Sequence, residues 1–203
     1  MPVITISRQY GAGGITLGQR LAKRLGYRLV SEDMIKQVAA KANVTPEGIY
    51  AFEHTAGAKL SRLMGKMISG DFIERLLDGK TSYLDEKRYV GLVTDIINQL
   101  YEEGDVVIVG RGGQYILRGR QEVRHILLVA EPKYRQDFLS RKYNLDSSQA
   151  ERAMIEGDQQ RRRFLRCFAA ESPDNPSAYH LTINTAWVSL DMAEELVLKV
   201  MSL

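Results

Sequence analysis

The opening of the chain restricts its fold more than any other stretch. Val3-Ile4-Thr5-Ile6-Ser7 is rich in β-formers, and a glycine-dense turn separates it from Leu17, Leu21, Ala22 and Leu25, whose spacing puts them on one helical face. The order is strand, glycine turn, helix. Gly26 is placed to stop that helix, Tyr27–Val30 reads as a short second strand, and Met34, Ile35, Val38 and Ala39 recur at helical spacing. The pattern is β-α-β-α.

From about Asn43 to Arg88 no strand-like run occurs. Leu60, Leu63, Met64, Met67 and Ile68, then the segment around Phe72–Leu77, read as helical pieces broken by Gly57, Gly65, Gly70 and Gly79. This stretch is predicted to be a helical insertion. A longer helix carries Tyr89, Leu92, Val93, Ile96, Ile97 and Leu100, and Gly104 ends it before the strand Val106–Val109 and a second glycine turn at Gly110–Gly113. Ile126–Ala130 is continuously apolar, as in a strand covered on both faces, and Pro132 can open the helix after it. Asp146 and Gln149 form a capping-box pattern that starts an arginine-heavy helix running to about Ala170. A loop at Ser172–Pro176, a strand at His180–Thr185 and a helix with Met192, Leu196 and Val200 close the chain. Strands alternating with helices predict an α/β domain with a parallel sheet.

At 203 residues, 44% hydrophobic and 26% charged, the chain has the composition of one globular core and not of a disordered segment or a coiled coil. Its net charge of +3 suits an anionic ligand and is too small to imply nucleic-acid binding. The longest apolar runs fall far short of the ~20 residues that cross a bilayer. Cys167 is the single cysteine, so no internal disulfide forms, and a cytoplasmic, reducing compartment is expected. His54, His125 and His180 lack ligand-like spacing, so no protein metal ligands are assigned.

Two segments carry candidate chemistry. Ser7-Arg8-Gln9-Tyr10-Gly11-Ala12-Gly13-Gly14-Ile15-Thr16 joins strand to helix, where backbone N–H groups and the helix terminus can converge on phosphate oxygens. The strict pattern G-x-x-x-x-G-K-[ST] fails, with Arg8 at its first glycine and Gly14 at its lysine. Taken alone, the stretch also fits a strand-to-helix turn without ligand. The second segment is Asp158-Gln159-Gln160-Arg161-Arg162-Arg163, flanked by Arg152 and Arg166. Such a run is a solvated face, a nucleic-acid patch or a phosphate-binding device, and aromatic interleaving is confined to Phe164 and Phe168.

Ile4-Thr5-Ile6-Ser7-Arg8-x-Tyr10-Gly11-x-Gly13-Gly14 closely resembles the opening of the cytidylate kinase-like family, one of the P-loop nucleoside-monophosphate kinases. The resemblance continues at Gly110-Arg111-Gly112-Gly113, Asp158-x-x-Arg161 and Tyr179-x-Leu181-x-Ile183-Asn184-Thr185, spanning essentially the whole chain. It implies a P-loop NTPase three-layer sandwich over residues 1–203, with a five-stranded parallel sheet of order 2-3-1-4-5. It also implies a helical acceptor-binding insertion at about 43–90 and an Arg-rich lid at about 146–172. Ser7, Arg8, Gly11, Ala12, Gly13, Gly14, Ile15 and Thr16 are the implied nucleotide-phosphate residues, with Arg8 replacing the usual lysine as the cation.

The resemblance further implies that Ser31, Asp33 and Arg111 meet the acceptor and that Arg161 and Arg162 belong to the lid. Arg8, Asp158 and Arg161 are the implied catalytic set, Asp158 orienting Arg161 or Arg162 or simply offsetting their repulsion. Asp33 equally suits the cap of the next helix. Gly112 stands where cytidylate kinases carry an acid, Ser31 where an aspartate is usual, and His180 where aspartate is frequent. The implied reaction is transfer of the γ-phosphoryl group of ATP, with Mg2+, to a nucleoside monophosphate, CMP or dCMP first. Small nucleotides are then the partners, not nucleic acid or membrane. Another small acceptor, or a nucleotide sensor without turnover, are the alternatives the altered residues leave open.

Overall fold

A computed structural model describes residues 2–31, 79–168 and 174–202. Asp33, the helix expected at Met34–Ala39, the helical pieces between residues 43 and 78, and the expected helix end near Ala170 lie outside the described residues. The chain runs β1 (Val3–Arg8), α1 (Gly14–Leu25), β2 (Arg28–Val30), α2 (Gly79–Glu103), β3 (Val106–Val109), α3 (Gly113–Ile116), β4 (Val123–Val129), α4 (Pro132–Tyr143), α5 (Ser147–Arg166), a 3-10 turn (Pro176–Ala178), β5 (Leu181–Asn184) and α6 (Leu190–Met201).

The strands form one parallel sheet in the order β2-β3-β1-β4-β5, as the resemblance implied. β1 is central, with Ile4 level with Val107 on one side and Arg124 on the other. Successive side chains of a strand point to opposite faces, so each central strand feeds two cores. Val3, Val106 and Ile108 pack with Val93, Ile96, Ile97 and Leu100 of α2. Ile4, Ile6, Val107, Val109, Ile126 and Leu128 pack with Leu17 and Leu21 of α1 and Ala193 and Val197 of α6. Helices thus cover both faces, and all four residues of β3 are buried, which is why that strand reads as unbroken apolar sequence.

Local signals set the element ends. Gly26 (φ 71°) and Gly104 (φ 69°) take left-handed geometry after α1 and α2. In the capping box of α5, Asp146 accepts from the Gln149 N–H at 2.8 Å and Gln149 Oε1 accepts from the Asp146 N–H at 3.0 Å. The inward face of α6 is centred on Ala193 and Val197, with the expected Leu196 packed beside them, whereas Met192 is 55% exposed. Apolar residues four apart mark a helix without fixing which adjacent line of side chains faces the sheet. Leu139 of α4 with Ala150 and Met154 of α5 make a small separate core. No described helix is long and apolar enough to cross a membrane.

Candidate functional site

The turn after β1 is held from three sides. Gln9 accepts the Ala130 N–H on its side-chain oxygen at 3.0 Å and donates its own backbone N–H to the Leu128 carbonyl at 3.0 Å. Thr185 Oγ1 donates to the Ala12 carbonyl at 3.1 Å. Gly11 and Gly13 sit at φ 88° and 85°, and a Cβ would lie 2.9 Å from the Arg135 carbonyl oxygen in the first case and 3.0 Å from the Leu190 side chain in the second. Both glycines are therefore required by backbone conformation and by space. The loop is a rigid backbone cradle ahead of the α1 N-terminus, the geometry that suits a phosphate group.

Arg8 explains why residue 14 is not lysine. A Cβ on Gly14 would come within 2.7 Å of Arg8 Cγ, so the arginine stem fills the space that a side chain at residue 14 would take. The stem leads across to the turn after β3, where a Cβ on Gly110 would collide with Arg8 Nη1. In that turn Gly110, Arg111 and Gly112 take consecutive positive φ values of 79°, 60° and 71°. A non-glycine residue held left-handed is strained, and strain of this kind gathers at ligand sites. A side chain at residue 112 would also meet Phe168 at 3.0 Å, so space as well as conformation favours glycine there.

Helix α5 closes over the loop. Ser7, Arg8, Tyr10, Gly110, Arg111 and, from α5, Gly157, Gln160, Arg161, Phe164 and Leu165 line one cleft. Gly157 lies so close to the Tyr10 ring that a Cβ there would overlap it. Arg161 donates to Ser7 Oγ at 3.0 Å and pairs with Asp174 at 2.6 Å, its side chain 10% exposed. Arg162, expected beside it in the lid, is exposed and does not line the cleft, because the next residue on a helix is turned about 100° away.

Asp158 takes a different partner from the expected ones. Its carboxylate pairs with Arg135 of α4 at 2.6 Å and accepts the Tyr10 N–H at 2.8 Å. Arg135 also donates to the Tyr10 carbonyl at 3.1 Å. Neither Arg135 nor Asp174 stands in a motif that sequence reading could select. Both are joined to the site by contacts between distant parts of the chain.

The remaining expected residues are more dispersed. Thr16, in the first turn of α1, accepts from Lys142 Nζ at 2.6 Å. Ile15 packs its side chain on the α1 core and offers the site only its backbone. Ser31 follows β2, half-buried, and is not among the residues lining the cleft. Burial raises the Tyr10 hydroxyl pKa, with nearby Tyr143 adding to it, and burial raises that of Tyr179, whose oxygen accepts from Gln114 Nε2 at 3.3 Å. Both phenols therefore stay protonated at neutral pH.

The sequence profile of the cytidylate kinase-like family matches residues 3–186. The chain belongs to that family. A cytidylate kinase from Archaeoglobus fulgidus is 24% identical over 200 residues, spanning 97% of this chain and 92% of its own length. Among solved structures, an uncharacterized protein from Eubacterium ventriosum superposes with a TM-score of 0.68 at 17% identity, covering 100% of this chain and 99% of its own. A shikimate kinase from Acinetobacter baumannii, solved with shikimate, gives 0.52 at 16% identity over 99% and 93% of the two chains. The fold is thus that of the P-loop kinases, and family membership supports a phosphotransferase.

Proposed function

We propose that this protein transfers the γ-phosphoryl group of ATP to a nucleoside monophosphate, CMP and dCMP being the first acceptors to try, in the cytoplasm. In this reading residues 1–203 are a single domain, residues 43–90 hold the acceptor and residues 146–172 are the lid. The observation that carries it is the convergence of Arg8, Arg111 and Arg161 on one cleft, with the Arg8 stem lying against Gly14 of the glycine loop. Three guanidinium groups from separate elements suit a reaction whose transition state spreads charge over phosphoryl oxygens.

Each residue then has a task. The loop at Gly11–Gly14 binds donor phosphate through backbone N–H groups, and Arg8 lies between donor and acceptor ends, bridging them with a forked cation. Arg111 binds the acceptor phosphate. Arg161, fixed by Asp174 and Ser7, meets the transferred group and, with α5, excludes water. Mg2+ needs few protein ligands when it arrives on a nucleotide, and none is assigned here, since Thr16 Oγ1 accepts from Lys142 Nζ. When bound, the ion neutralises charge on the phosphate oxygens.

A second reading has its own support. Gly112 lies under Phe168, so the place of the cytidylate kinase acid is apolar, which favours an acceptor other than cytosine nucleotides. A coupled ADP-release assay with ATP, Mg2+ and CMP, dCMP, UMP, AMP, GMP or no acceptor separates the readings. CMP-dependent release that disappears in Arg8→Ala supports the first. Release dependent on another nucleotide moves the assignment to that base, and ATP binding without release for any acceptor abandons the monophosphate kinase. Arg161→Ala is expected to lower kcat by on the order of a hundredfold while ATP affinity stays within about twofold.

A further inference from the structure

We infer that Arg135 is a positioning residue that makes the shape of the phosphate loop depend on where helix α5 lies. This rests on the reading that the loop binds nucleotide phosphate. Arg135 sits on α4 with its side chain 8% exposed, and its Nη1 reaches both the Tyr10 carbonyl and Asp158 Oδ2. Asp158, on α5, holds the Tyr10 N–H with its other carboxylate oxygen. One ion pair thus grips both polar backbone groups of a single loop residue. The next residue, Gly11, lies directly against the Arg135 backbone and Cβ, so the grip and the packing act on the same turn.

The consequence follows from the cost of isolated buried charge. If α5 moves off the loop, Asp158 leaves with it, Arg135 keeps one carbonyl, and the Tyr10 N–H loses its acceptor. Arg135 has no slack to absorb this, since its Nε is already buried without a hydrogen-bond partner. Breaking one side of a buried pair is costly because the other charge stays behind. Loop order and α5 closure therefore reinforce each other, and by linkage a ligand that orders the loop draws α5 down. Sequence motifs assign Asp158 to Arg161 or Arg162; the geometry assigns it to the loop through Arg135.

The test uses the full chain and the variants Arg135→Gln, Asp158→Asn and the double. Amide hydrogen exchange of a peptide covering Gln9–Gly13 is read without ligand, and affinity for ADP with Mg2+ by calorimetry. Each single variant is expected to speed loop exchange and weaken ADP binding by about tenfold, with the double no worse than about twofold beyond the stronger single, since both act through one residue. Arg135→Lys, keeping charge with a single contact, recovers part of the loss. Unchanged loop exchange alongside a lowered Tm overturns the inference and leaves an ordinary structural pair, as do losses that multiply in the double. Asp158→Asn carries the test if Arg135→Gln does not fold. Normal loop coupling in a protein that transfers no phosphoryl group overturns the kinase reading and leaves this one standing.

Discussion

Arg8 and Gly14 depend on each other, because the arginine stem lies where a Cβ on residue 14 would be. A lysine at residue 14 is thus excluded by the Arg8 stem. Gly14→Lys is expected to lower turnover by about a hundredfold, since two stems cannot share one space and overpacking displaces both. The double variant Arg8→Gly, Gly14→Lys brings the glycine and lysine positions to the common pattern, with Ile15 still at its hydroxyl position, and is expected to recover at least about a tenth of the wild-type rate, read in the same ADP-release assay. That Arg8 and Gly14 belong to one loop was legible from the motif, because the two positions lie in one local pattern. Arg135 was not legible: its contacts lie on Tyr10 and Asp158, on other elements, and nothing in the helix around it marks it.

Helix α5 behaves as a unit whose seating on the loop depends on one missing side chain. Glycine inside a helix costs roughly 1 kcal/mol relative to alanine, so Gly157 is locally unfavourable. Its place is explained by the Tyr10 ring lying against it. Gly157→Val is therefore expected to reduce kcat at least about tenfold, by lifting Arg161 away from Ser7, while Tm falls by no more than a few degrees. Tyr10→Ala in that background makes room for the valine and returns part of kcat, an outcome steady-state kinetics can read. The start of α5 was predictable because its capping box joins residues three apart. Its cleft-facing side was not, because an arginine run is compatible with water on every face; the contacts of Arg161 with Ser7 and Asp174 decide it.

The whole molecule carries a pH dependence centred on a buried histidine of the sheet. His125 of β4 is 3% exposed, its Nδ1 is 2.7 Å from Thr5 Oγ1, and its backbone N–H donates to His180 Nδ1 at 2.9 Å. Burial, then the neighbouring His180, lowers its pKa from 6.5 to about 4. The unfolded chain therefore takes up the proton first, so stability is fully present above pH 6.5 and is lost as pH falls toward about 4. The loss is on the order of 3 kcal/mol, and urea unfolding of His125→Gln should show a flatter profile across that window. Glycine stops, capping residues, apolar periodicity and the class of fold were determined by the sequence alone, because each is a relation between residues a few positions apart that water and backbone geometry enforce locally. The strand order came from family resemblance and not from periodicity, which is blind to neighbours across a sheet. Only the tertiary structure decided that Asp158 serves Arg135 and Tyr10, that Asp174 holds Arg161, and that Phe168 covers Gly112. Those pairings join residues on different elements, and their worth depends on burial and hydrogen-bond geometry that exist only once the sheet and its helices have packed.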